Sequence, residues 1–165
     1  MLVEARERDL LDKCAGCGLE IAGGTDGCQT LFDQFRLRES AELARDYGST
    51  RLTIDIYSVQ HPDRYCVSAK SLAAHLTGLC WAVERGGSEA GLRALQRWLN
   101  GSVPLNKPDI PKDRGKLTVA DVAGAAETAT YEAALDRWAR STWDAYSPLH
   151  EVARHWIDEA NSQPG

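Results

Sequence analysis

Two cysteines two residues apart and followed by glycine, Cys14-Ala15-Gly16-Cys17-Gly18, constrain this chain more than any other stretch. In such a turn two thiolates converge on one ion and the glycine lets the backbone fold around it, the geometry of a zinc knuckle. One knuckle supplies half a tetrahedral site, so further donors must come from elsewhere. The chain has five cysteines. An odd number in a reducing compartment does not build a disulfide framework, which leaves metal binding, catalysis or burial to account for them. Cys28, near the start of a predicted helix whose dipole favours a thiolate, is the third expected ligand. The fourth is expected to be a histidine, with His75 preferred and His61 the alternate, because structural zinc sites close with cysteine or histidine. Cys80 reads as a small core residue and Cys66 as a partly exposed thiol. A redox dithiol competes with the metal reading, but that motif normally joins a strand to a helix in an α/β fold. An iron–sulfur cluster lacks a fourth well-spaced cysteine.

Around this turn the hydrophobic pattern is helical, and the fold class expected is all-α: a compact bundle of five or six helices with an N-terminal metal-binding Cys-rich loop. The 165 residues, 43% hydrophobic and 26% charged, suit one domain over 1–165. It divides into a Cys-rich metal loop at 14–28, a helical bundle at 29–160 and, within that, a Pro-rich surface loop at 102–116 carrying Pro104, Pro108 and Pro111. Residues 1–13 read as a short charged helix or frayed end. A helix capped by Asp26 carries Leu31, Phe32, Phe35, Leu43 and Tyr47 and stops at Gly48-Ser49. Arg51 to Gln60 fits both a strand, by the alternation of Leu52, Ile54 and Ile56, and a helix, by Leu52, Ile56 and Val59; helix is the reading adopted. Ser68 caps a helix through Arg85, and Ser88 caps the next, with Gly101 in the position that favours a left-handed end. Thr118 and Asp121 form a capping-box start, Tyr131 to Trp143 a further helix, and Ser147-Pro148 begins the last, with Val152 and Trp156 facing inward.

The formal charge of −5 and a pI near 5.4 argue against a sequence-independent grip on nucleic acid, which needs a concentrated basic face. No run reaches the roughly 18 apolar residues that span a bilayer, and the charged start lacks the apolar stretch of a signal peptide, so a cytoplasmic location and no membrane partner are expected. Phosphate loops, nucleophile elbows and paired-histidine metalloprotease motifs are absent. The function expected is therefore a binding or regulatory module for a protein or small-molecule partner, built around structural Zn2+. The alternative is a metal-dependent enzyme, hydrolysing or transferring a group on a small substrate, with an open site near Asp55, His61 and His75 and with Asp55 or His61 as the catalytic candidate. A third reading is a redox switch that releases zinc when Cys14 and Cys17 oxidise. Tyr57, Gln60, His150 and His155 each have an ordinary packing or solvated role available.

Cys14-Ala15-Gly16-Cys17-Gly18, Gly27-Cys28, Asp55-x-Tyr57-x-x-Gln60-His61-Pro62, His75-Leu76-Thr77-Gly78-Leu79-Cys80 and Trp138 to Trp143 occur in that order. Together they resemble an uncharacterised bacterial family known only as a domain of unknown function, over residues 14 to about 157. The resemblance implies that Cys14, Cys17, Cys28, Asp55, His61 and His75 belong to one signature, and it brings no activity with it. Members often carry a histidine just ahead of the Arg-Leu-Thr segment, where this chain has Thr50.

Overall fold

The computed structural model describes residues 11–44 and 46–163. It opens with a short antiparallel hairpin, β1 (Leu11–Lys13) and β2 (Glu20–Ala22), paired Leu11 to Ala22 and Lys13 to Glu20. Eight α-helices follow among the described residues: α1 (Gly24–Arg38), α2 (Tyr47–Gln60), α3 (Pro62–Tyr65), α4 (Ala69–Glu84), α5 (Glu89–Asn100), α6 (Val119–Ala123), α7 (Thr128–Ala145) and α8 (His150–Ser162). The count exceeds the expected five or six because α3 and α6, of four and five residues, are too short to leave a periodic signal. Side-chain caps fix several helix starts, as expected: Ser68 with Ser71, Ser88, and the Thr118–Asp121 pair each satisfy backbone N–H groups that a helix leaves bare.

Helix α2 is the central strut. Its residues Asp55 to Gln60 are all buried, with α4 packed on one side and α7 on another. A helix buried all round loses its clean amphipathic period, which is why strand and helix both fitted its sequence. Helices α5 and α8 complete the layer against α4. Ile56, Leu72, Leu76, Trp138 and Ile157 form the fully buried centre. No helix of the described residues is long and apolar enough to cross a membrane.

Several local expectations change. Leu11–Lys13 is a strand, and the remainder of the predicted terminal helix lies outside the described residues. Helix α1 begins at Gly24, with left-handed Gly23 at its cap position, and Asp26 falls in the first turn. The helix drawn from Asp26 to Tyr47 is two: α1 passes into one wide π-helical turn, Glu39–Leu43, and the chain leaves helical geometry at Ala44. That wide turn buries Glu39, which accepts hydrogen bonds from Arg36, Thr53 and the Tyr131 hydroxyl. Asp46 then caps α2 by accepting from the Ser49 N–H at 2.8 Å. Gly101 is extended, with φ −79°, rather than left-handed. Val152 is only half-buried, beside the core. Residues 102–116 form the irregular loop expected. Gln60 holds its end down, donating from Nε2 to the carbonyls of Arg114 and Leu117, both at 2.8 Å.

Candidate metal centre

The hairpin turn is the knuckle. Cys14 N–H donates to Leu19 O at 2.8 Å and Gly18 N–H to Cys14 O at 2.9 Å; Gly18 has φ 79°, a conformation that a side chain disfavours. Two more donors arrive from the bundle. Cys28 lies in the second turn of α1, and His61 ends α2 with φ −126° and ψ 56°, held out of the helix by Pro62, which disfavours helical geometry in the residue before it. Cys14 Sγ is 3.3 Å from His61 Nε2, Cys28 Sγ is 3.6 Å from the same nitrogen, and the Cys17 and Cys28 sulfurs are 3.7 Å apart. All four donor atoms lie within 4.8 Å of one another.

These separations have the size of a tetrahedron's edges. Bonds of about 2.3 Å to sulfur and about 2.0 Å to nitrogen require about 3.8 Å between sulfurs and about 3.5 Å between sulfur and nitrogen. Cys14, Cys17, Cys28 and His61 therefore form a group that could hold a metal ion. His61 is 6% exposed and Cys28 fully buried, so these polar donors sit where an unpaired group is costly. The hydrogen bond from Cys17 draws the Cys28 thiol well below its ordinary range, with His61 and Tyr57 assisting, while the same bond and burial push Cys17 up. The helix dipole expected to act on Cys28 fades beyond the first turn; hydrogen bonds perform that task.

Tyr57 supports the centre twice. Its backbone carbonyl accepts from His61 Nδ1 at 2.7 Å, which selects the tautomer with a lone pair on Nε2, the nitrogen facing the sulfurs. Its hydroxyl lies 3.7 Å from Cys28 Sγ, inside the structure. Its ring is stacked between Phe32 and His61, with centroid separations of 3.7 and 3.9 Å. Tyr57→Phe keeps the stack and the carbonyl but removes the hydrogen bond to sulfur. It is expected to weaken metal affinity by about 10-fold or more, in the range found for such supporting groups; chelator competition measures this, and an unchanged affinity removes the hydroxyl from the site. The i to i−4 spacing of Tyr57 and His61 was the available signal for the carbonyl contact. Gly16 was also missed: a Cβ there would lie 2.4 Å from His61 Cδ2, so the knuckle needs glycine to close over the imidazole.

The other candidates lie elsewhere. His75, preferred in sequence as the fourth ligand, bonds Asp55 instead, Nδ1 to Oδ1 at 2.9 Å, and His61 takes the place beside the cysteines. Asp55 is 1% exposed and receives Arg51 Nε at 3.2 Å as well, so it is not free to act beside the cysteines. Cys66 is fully buried, its thiol directed at Ser58 O, and burial pushes it up to about 12; the partly exposed thiol expected there is not found. Cys80 is core, as expected, and burial pushes it up to about 12 too. His150 stacks on Trp143, and His155 lies exposed beside Glu159. The model of a family of unknown function (DUF5946) matches residues 12–147, a range that contains the whole centre. No curated protein and no solved structure matches the chain.

Proposed function

Because this chain belongs to that family of unknown function, its role has to be read from its own residues, and we propose that it is a zinc-stabilised helical module in which Cys14, Cys17, Cys28 and His61 hold one structural Zn2+. The observation that carries this reading is the set of donor separations, 3.3, 3.6 and 3.7 Å, close to those of a tetrahedral Cys3His site. Three thiolates and an imidazole suit zinc, whereas magnesium and calcium take oxygen ligands. Four protein donors leave no open position for water, the mark of a structural rather than a catalytic site. The cavity beside His61, bordered by Gly16, Gln29 and Tyr57, is small, about 90 Å³. The module then serves a protein or small-molecule partner through surfaces other than the metal.

Zinc quantification on untagged protein tests the proposal. One tightly bound zinc per chain is expected, lost in Cys17→Ser. A wild-type protein without zinc when expressed in zinc-supplemented medium, or a Cys17→Ser protein that keeps it at full occupancy, overturns the assignment.

A further inference from the structure

The residues that the metal centre leaves aside form a second assembly between α2 and α4. Asp55 is a fully buried carboxylate with two basic side chains on it: Arg51 through Nε, at 3.2 and 3.4 Å, and His75 through Nδ1, at 2.9 Å. The helices are shaped to admit it. A Cβ on Gly78 would lie 2.0 Å from Asp55 Oδ2, so α4 carries glycine where the carboxylate arrives. Burying such an ion costs more than a well-packed apolar group would, and core packing gives no return for it.

Arg51 is anchored through the inner nitrogen of its guanidinium. Its two terminal nitrogens donate to no carboxylate or carbonyl of the described residues; the Tyr47 phenol is their hydrogen-bonding neighbour. Arg51 and Asp55 border a cleft of about 230 Å³, with Ser49 on the first turn of α2, the Gly86-Gly87 turn and an apolar side made by Leu52, Ala82 and Leu92. Asp46 is on the same rim, but its Oδ1 is taken by the Ser49 N–H and its charge faces the positive end of α2. The Asp55 charge is shared with His75, and the outer edge of the Arg51 guanidinium meets only the exposed Tyr47 phenol, which an anion can displace to take two parallel hydrogen bonds.

We propose that this cleft is a binding site for a small organic carboxylate, its carboxylate held by Arg51 and its apolar body laid on Leu52, Ala82 and Leu92. Asp55 and His75 are positioning residues that fix the arginine. The site does not depend on the zinc assignment, and it gives the module a small-molecule ligand.

The test uses the full chain as purified, with its metal content measured, and three probes: benzoate, benzylamine and inorganic phosphate, followed through the backbone amide resonances of Ser49, Gly86 and Gly87. Benzoate is expected to shift them saturably, and the other two are not. Arg51→Gln is expected to weaken benzoate by about tenfold or more. Ala82→Leu fills the apolar side without touching Arg51, Asp55 or His75 and is expected to block benzoate with metal content unchanged; it keeps the test decisive should Arg51→Gln fail to fold. No benzoate shift, equal benzoate binding in a folded Arg51→Gln, or undiminished binding in Ala82→Leu overturns the proposal. Binding of benzylamine or phosphate in place of benzoate also overturns it, since the first removes the anion and the second the apolar body.

Discussion

If the proposed zinc is bound, stripping it with a chelator is expected to free residues 11–22 from the rest of the protein while the helical core stays folded. Strands β1 and β2 have three residues each, and five of the six are exposed. A hairpin of this size does not persist alone in water. Leu19 and Ile21 are only half-buried against the core, and burying such a side chain fully contributes no more than about 1.5–3 kcal/mol. A structural zinc contributes far more, about 10–16 kcal/mol of apparent binding energy in small zinc domains near neutral pH. The core does not share this dependence, because Leu72, Leu76, Trp138 and Ile157 are buried on α4, α7 and α8. Hydrogen exchange on the verified apo protein should show protection lost over 11–22 and retained in α4 and α7. Unchanged protection over 11–22 would mean that packing, not the ion, holds the knuckle.

Gln60→Leu is expected to destabilise the protein by about 1–3 kcal/mol, the cost of leaving the buried Trp138 indole N–H without its partner, with the part-buried carbonyls of Arg114 and Leu117 adding less. The side chain is fully buried and makes three bonds: Nε2 to Arg114 O and Leu117 O, and Oε1 from Trp138 Nε1 at 3.0 Å. Leucine fills nearly the same space but leaves an indole N–H and two carbonyls unmatched. Loop 102–116 should loosen, because Gln60 is its tie to the end of α2. Urea unfolding measures the loss, and a change below about 1 kcal/mol would show that the loop and Trp138 find other partners at little cost.

What the sequence disclosed follows the range over which each signal acts. The three cysteines were legible because Cys14, Cys17 and Cys28 are close in the chain and a glycine follows the second. The caps at Ser68, Ser88 and Thr118 were legible because a cap is a local hydrogen bond. The choice between His61 and His75 was not local. It turns on the way α2 ends, with Pro62 turning His61 toward the hairpin, and on α4 docking so that His75 meets Asp55, twenty residues away. The break after Leu43 escaped notice because a π-helical turn carries the apolar pattern onward for one more turn before the chain leaves it. The hairpin escaped notice because three-residue strands are too short to show alternation. The burial of Cys66 has no sequence signal, because no local pattern shows that Ser58 O stands over it.

The distribution of the four donors along the chain also sets an order of events during synthesis. Cys14, Cys17 and Cys28 emerge from the ribosome close together, so on the proposed zinc reading they would be in place to hold an ion while the bundle is still incomplete. His61 lies 33 residues beyond Cys28 and 47 beyond Cys14, and its approach must bear the entropy of closing that loop. On the proposed zinc reading, the arrival of His61 would complete the donor set and join the end of α2 to the hairpin.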